Sequence, residues 1–133
     1  MNILEKEFVP YEPSLALKEL GFDEPCFGGY DMETLKLWIG YLNDGEQFNR
    51  EYYYPAPTFS QAFRWFREKY NIDAWVQPFV TEKSNGTLFL PDESYSYYIF
   101  KDGVFVADKV DLFDPEEAEL ACLKKLIEIV KKK

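Results

Sequence analysis

The most regular alternation of apolar and polar side chains lies between residues 58 and 71. Apolar side chains recur there at intervals of three and four residues: Phe59, Ala62, Phe63, Phe66 and Tyr70. This spacing places them on one face of an α-helix. Thr58 stands just before them, and its hydroxyl can accept a hydrogen bond from a free N–H group of the first turn. The pattern predicts a helix that begins after Thr58 and buries one face.

A shorter helix is predicted near the start of the chain, over residues 13–20. Pro13 suits the first position of a helix, and Gly21 suits the left-handed residue that ends one. We expect Phe22 to fold back on Leu17, as the residue after such a glycine often does.

The last predicted helix begins at residue 115. Asp114 is expected to be its N-cap, Pro115 its first residue and Glu117 its capping-box residue. Its apolar side chains form a wide face: Cys122, Leu123, Leu126, Ile127, Ile129 and Val130. A face of this width predicts that the helix lies flat on a sheet.

The segments between the helices have the shorter period of β-strands. Residues 34–54 form two half-apolar runs around the turn signal Asn43-Asp44-Gly45, which predicts a hairpin. A second hairpin is predicted from the runs 74–83 and 87–90 on either side of Ser84-Asn85-Gly86.

A third predicted hairpin joins residues 95–101 to residues 104–110 through Asp102-Gly103. Pro78 lacks a backbone N–H group, so its strand is expected to be bulged or at an edge. The order helix, hairpin, helix, strands, helix predicts an α+β fold. We expect residues 1–133 to form a single domain, mainly an antiparallel sheet with about three helices, with the C-terminal helix packed on the sheet.

The charge distribution bears on the choice of partner. The net charge is −9, and residues 1–60 hold eleven acids and four bases. Such an excess repels phosphate backbones, so direct binding of nucleic acid is disfavoured. It suits a basic partner, or a protein that imitates nucleic acid.

Expectations about location follow from the apolar runs and the N-terminus. No apolar run approaches the roughly 18 residues of a membrane span. The first fourteen residues are acidic and do not resemble a signal peptide. We therefore expect a cytoplasmic protein with no membrane contact, whose two cysteines are reduced thiols.

The absence of histidine removes most familiar catalytic sites. A serine or cysteine nucleophile usually needs an imidazole as its base, and zinc sites commonly need imidazole ligands. The chain also lacks the glycine-rich motifs that bind phosphates and dinucleotides. We expect no cofactor, and binding rather than catalysis.

The segment "EPCFGGYD", residues 24–31, combines a cysteine with two glycines. Cys26 has no neighbouring cation in the sequence that would lower the pKa of its thiol, so we expect it to be structural. Gly28-Gly29 is interpreted as a turn or a bulge. Cys122 is expected in the core.

Carboxylates are the remaining candidates for catalysis. Asp108, Asp111 and Asp114 recur at every third residue and could offer oxygen ligands to a divalent cation. Acidic residues also gather at helix N-termini because the helix dipole favours them there. We expect helix capping, with a metal-dependent enzyme as the alternative.

Aromatic residues provide the candidate binding sites. In a strand, Tyr53 lies on one face and Tyr52 and Tyr54 on the other, so both faces are aromatic. Trp65 is placed about 120° from the centre of its helix's apolar stripe, next to Arg64, which predicts a position on the flank. Tryptophan, tyrosine and arginine are the residue types that dominate protein interfaces.

Three stretches together resemble a family of small uncharacterised proteins from bacteriophages and phage-derived regions of Bacteroidetes-type bacteria. They are "LALKELGFDEPCFG", "QAFRWFREKY" and "EEAELACLKKLIEIVKKK", about a third of the chain. The resemblance implies a phage or mobile-element setting. The family has no known activity, so the resemblance implies none for this chain. We expect an accessory protein that binds an unidentified protein partner. The alternatives are an acidic mimic of nucleic acid that blocks a DNA-binding host protein, and a carboxylate- or metal-dependent enzyme.

Overall fold

A computed structural model describes residues 4–40, 52–78, 81–89, 94–112 and 114–132. Within these residues, three α-helices accompany two three-stranded antiparallel sheets and a two-stranded hairpin. The α+β class is therefore confirmed. The chain divides into two compact units, Met1–Trp65 with Ile127–Lys133, and Phe66–Leu126. The assignment of residues 1–133 to one domain stays a prediction.

The first unit contains a helix and a three-stranded sheet, after a 3₁₀ turn at Glu5–Glu7. Its elements are α1 (Tyr11–Glu19), β1 (Gly28–Asp31), β2 (Leu37–Ile39) and β3 (Tyr53–Ala56). The strand order is β2-β1-β3, with both neighbours antiparallel to β1.

The end of α1 has the predicted glycine cap. Gly21 has a φ of 103°, and the N–H of Phe22 donates to the carbonyl oxygen of Leu17 at 3.0 Å. This bond folds the chain back over the last turn, as expected. The helix begins at Tyr11, two residues earlier than predicted, so Pro13 lies within its first turn.

The predicted hairpin over residues 34–54 is wrong, because β2 and β3 both pair with β1 and not with each other. Its turn, Asn43-Asp44-Gly45, lies outside the described residues. The hairpin that does form joins β1 to β2. Oδ1 of Asp31 starts its turn by accepting hydrogen bonds from the N–H groups of Glu33 and Thr34, at 2.8 and 3.0 Å.

Gly28 and Gly29 lie in the central strand, so their interpretation as a turn or bulge is corrected. A Cβ atom on Gly28 would lie 2.7 Å from Cδ1 of Phe8 and 2.9 Å from the carbonyl oxygen of Ala56. Glycine is needed there for close packing, not for a positive φ. Phe8, Tyr30 and Ala56 form the buried cluster of this sheet.

Helix α2 (Phe59–Tyr70) begins in the first unit and continues into the second. The hydroxyl of Thr58 accepts a hydrogen bond from the N–H of Gln61 at 3.1 Å, which confirms the N-cap. Within the predicted stripe, Phe59, Ala62 and Phe66 are buried.

The second unit contains the strands that follow α2. These are β4 (Ile72–Pro78), β5 (Thr81–Glu82), β6 (Leu88–Phe89), β7 (Tyr95–Lys101) and β8 (Val104–Leu112). The sheet has the order β4-β7-β8, and β5 pairs with β6.

Both hairpin turns of the second unit agree with the sequence. Asp102 and Gly103 have φ values of 52° and 80°, as a tight two-residue turn requires. Gly86 has a φ of 86° between β5 and β6. Pro78 is the last residue of β4, an edge strand, where its missing N–H group leaves no ladder bond unmade within the sheet.

Helix α3 (Pro115–Lys131) closes the chain and packs on the sheet as predicted; residues 115–126 belong to the second unit. Oδ1 of Asp114 accepts a hydrogen bond from the N–H of Glu117 at 2.6 Å, which confirms the N-cap. Cys122 is fully buried on the apolar face, as expected. Burial, with the charge of Glu119 as a second cause, raises the pKa of its thiol to about 12.

Candidate aromatic binding face

The sheet β4-β7-β8 has one buried face and one aromatic face. Side chains alternate between the two faces of a strand, and directly opposed residues share a face. Ile72, Tyr97 and Ile99 are buried on one side. The opposite side carries four rings from the three strands, which we call the aromatic face: Trp75, Tyr98, Phe100 and Phe105.

The four rings form a continuous chain of contacts. Trp75 stacks on Tyr98 and on Phe100, with centroid distances of 5.6 Å in both cases and interplanar angles of 28° and 11°. Phe105 meets Phe100 edge to face at 5.7 Å and 76°. Both arrangements are favourable geometries for aromatic pairs. The rings therefore support one another across the sheet.

Strand register brings these rings together. Trp75 lies directly opposite Tyr98, and Phe100 lies directly opposite Phe105. The two-residue turn places Phe105 opposite Phe100. A bulge at Val106, the next residue of β8, then brings Asp108 rather than Ala107 opposite Tyr98.

The turn that joins β7 to β8 is itself held in place. Nδ2 of Asn71, just before β4, donates to Oδ1 of Asp102 at 2.8 Å. The N–H of Asp102 donates to the carbonyl oxygen of Asn71 at 3.0 Å. These two bonds tie the turn to the start of β4, so the edge strand and the hairpin keep a fixed relation.

Two of the four rings of the aromatic face are exposed. Trp75 is 41% exposed and Phe105 is 53% exposed, with the exposed Val106 next to Phe105, whereas Tyr98 and Phe100 are half-buried. The indole N–H of Trp75 donates to Oε1 of Gln77 at 2.9 Å, which fixes the ring. Contiguous exposed apolar surface of this kind commonly marks an interaction site.

Two carboxylates accompany the rings. Asp73 lies directly opposite Phe100, and Asp108 lies directly opposite Tyr98, so both share the aromatic face and both are exposed. The lysines of these strands, Lys101 and Lys109, pair with residues of the other face. The aromatic face is therefore apolar and negatively charged.

Trp65 lies on the flank of α2 but is buried there, which corrects the expectation that it stays out of the core. Its side chain is 6% exposed and packs edge to face on Phe22, with a centroid distance of 5.4 Å. The glycine cap of α1 at Gly21 turns Phe22 onto this flank, and the ring covers the tryptophan. Trp65 is thus part of the core. A binding role for it stays a prediction.

Arg64 is exposed, and its guanidinium lies 3.8 Å from a carboxylate oxygen of Glu24. Gln61, one turn earlier on α2, donates to Oε1 of Glu24 at 3.3 Å and to the carbonyl oxygen of Pro25 at 2.8 Å. This polar side of α2 therefore holds the segment that contains Cys26, whose side chain is buried.

The predicted tyrosine run leads into β3, with Tyr52 just before the strand and Tyr53 and Tyr54 as its first two residues. Tyr52 is 62% exposed, whereas Tyr53 and Tyr54 are half-buried. Tyr54 packs on Tyr11 at 5.8 Å, and the ammonium of Lys18 lies 4.8 Å from its ring centre. The run thus contacts α1, while Trp65 and Arg64 contact the segment that follows α1.

The sequence interpretation missed the aromatic face, although the signal was present. Tyr98 and Phe100 stand two residues apart in a strand, which places both on one face. Adding Trp75 and Phe105 to that face requires the register of two strand pairs, which the spacing within one strand does not give.

The described residues provide neither a cluster of metal ligands nor a membrane-spanning helix. Within the described residues, no group of three or more acidic or cysteine side chains is arranged to hold a metal ion. Of the three predicted carboxylates, Asp114 caps α3, Asp108 lies on the aromatic face, and the side chain of Asp111 is outside the described part. No helix in the described ranges is long and apolar enough to cross a bilayer.

Comparison of the chain with protein-family models, curated proteins and solved structures found no match. The resemblance to phage proteins therefore stays a prediction.

Proposed function

We propose that this chain is a protein-binding module and that the aromatic face is its contact surface. The observation that carries the proposal is the set of four touching rings on one sheet, of which Trp75 and Phe105 are partly exposed. Large rigid rings of this kind contribute the most binding energy per residue in protein interfaces.

Charge supports a protein segment as the occupant. Exposed rings on a sheet also suit the bases of single-stranded nucleic acid, but that ligand needs a positively charged path for its backbone. Here Asp73 and Asp108 lie among the rings, and the whole chain carries a net charge of −9. Both charges oppose a polyanion and favour a segment with apolar and basic side chains.

The test uses a displayed library of random decapeptides, selected on the wild-type chain, on Trp75→Ala and on Trp38→Ala. Trp38 is the matched control, because it is 50% exposed on β2 of the other sheet. The proposal predicts peptides that bind wild type and Trp38→Ala, with affinity reduced about 30-fold or more by Trp75→Ala, the loss expected for an interface hot spot.

Three results would contradict this function. The first is the absence of enriched peptides, and the second is equal binding of the peptides to Trp75→Ala. The third is a single-stranded oligonucleotide or a β-linked glucose oligosaccharide that binds through Trp75 more tightly than the selected peptides do. Circular dichroism of each variant establishes that the fold is retained before affinities are compared.

The cytoplasm is the proposed compartment, since Cys26 and Cys122 are both buried and neither forms a disulfide. The nucleic-acid mimic and the carboxylate enzyme stay predictions. The mimic depends on acids that include Asp44, Glu46 and Glu51, which lie outside the described residues.

A further inference from the structure

We infer that the bound segment presents lysine or arginine side chains to the aromatic face, between Asp73 and Asp108. The inference rests on the proposed function and specifies the chemistry of the partner. It follows from the charged side chains of the sheet, because the two carboxylates share a face with the rings and the lysines lie on the other face.

The two carboxylates stand on opposite sides of the central strand. Asp73 belongs to β4 and Asp108 to β8, and β7 lies between them with Tyr98 and Phe100. Neighbouring strands are about 4.8 Å apart, so the two outer strands are separated by roughly 10 Å. A cationic group placed over the rings of β7 therefore has a carboxylate on each side.

Neither carboxylate is neutralised by a basic neighbour in its own sheet. Among the described side chains of the three strands, no lysine or arginine lies on the aromatic face. Lys101 lies opposite Ile72, and Lys109 lies opposite Tyr97, both on the other face. No ion pair joins Asp73 or Asp108 to another residue in the described ranges.

The rings add a second attraction for the same chemical group. The face of an aromatic ring carries negative electrostatic potential and attracts ammonium and guanidinium ions, and tryptophan does so most strongly. The chain shows this preference elsewhere, because the ammonium of Lys36 lies 5.4 Å from the ring centre of Trp38. Arginine suits the site best, since its planar group can stack on a ring and pair with a carboxylate.

Three octapeptides distinguish acidic from basic partners. Valine alternates with arginine in the first, with glutamine in the second and with glutamate in the third. Their affinities for the intact chain are measured by titration calorimetry. The arginine peptide is expected to bind about 2- to 30-fold more tightly than the glutamine peptide, the effect of two exposed ion pairs. The glutamate peptide is expected to bind most weakly, and 0.5 M salt should reduce the preference for arginine.

The double variant Asp73→Asn/Asp108→Asn should lose the preference for arginine while it still binds the glutamine peptide. The control variant Glu12→Gln/Glu33→Gln removes the same charge from exposed positions of the first unit and should keep the preference.

The outcomes separate this inference from the proposed function. Equal affinities for the arginine and glutamine peptides, both reduced by Trp75→Ala, would overturn the basic partner and leave the aromatic face as the contact surface. An equal loss of preference in both double variants would assign the effect to net charge and overturn the inference too. Binding that persists in Trp75→Ala would overturn both proposals.

Discussion

At the scale of single residues, Trp65 and Trp75 carry the same side chain but occupy different environments, with exposed fractions of 6% and 41%. Phe22 covers Trp65 from outside its helix, whereas Trp75 leans on Tyr98 and Phe100 within its own sheet. The helical wheel places Trp65 on a flank, but it does not show what lies beside that flank.

Replacing Trp65 by alanine should destabilise the fold by about 3–5 kcal/mol, because it leaves a cavity where a buried aromatic ring packed on Phe22. Trp75→Ala should lose less, roughly 0.5–2 kcal/mol, since it removes cross-strand contacts of a partly exposed ring. Urea unfolding followed by circular dichroism measures both. An unchanged midpoint for Trp65→Ala would contradict its assignment to the core.

The thiol of Cys122 predicts a pH dependence of stability. Its folded-state pKa is raised from 9.0 to about 12 by burial and by Glu119. Its contribution to stability is fully present below pH 9 and is lost as pH rises from 9 toward 12, because the unfolded chain releases the proton first.

Comparing wild type with Cys122→Ala separates the effect of this thiol on stability from the effect of Tyr30, whose pKa is also raised by burial. Between pH 9 and 11, the free energy of unfolding of wild type should fall more steeply than that of the variant, by up to about 1.4 kcal/mol per pH unit. Parallel curves would show that the thiol ionises equally in both states.

At the scale of elements, the signals that proved correct are local. The caps at Thr58 and Asp114 and the turns at Gly86 and Gly103 each depend on a few consecutive residues, and each lies where the sequence places it. Strand order depends on contacts between distant segments. The first sheet was therefore mispredicted, since Gly28 and Gly29 lie in its central strand.

Gly28→Ala tests the reason for that placement. The new methyl group would lie 2.7 Å from Phe8 and 2.9 Å from the carbonyl oxygen of Ala56, so we expect a loss of about 1–3 kcal/mol in the free energy of unfolding. In the Gly28→Ala chain, a second substitution, Phe8→Leu, should reverse part of the loss of stability. It removes the ring that meets the new methyl group but leaves the contact with the carbonyl oxygen of Ala56. A Gly28→Ala variant as stable as wild type would contradict the close approach.

At the scale of the whole molecule, the net charge of −9 could be read from composition, and it favours a basic partner over a polyanion. The place of contact could not be read in this way. Tyr52 and Arg64 are exposed candidate residues, but the rings that touch one another lie on β4, β7 and β8. The register of the three strands unites those rings.

The central claim is that the aromatic face is the surface of contact. Nitrogen-15 NMR resolves the indole N–H groups of the three tryptophans, Trp38, Trp65 and Trp75, in one spectrum. Titration with the tightest-binding peptide from the library should shift the signal of Trp75 and leave those of Trp38 and Trp65 in place. A shift confined to Trp38, or saturation with no change at Trp75, would contradict the claim.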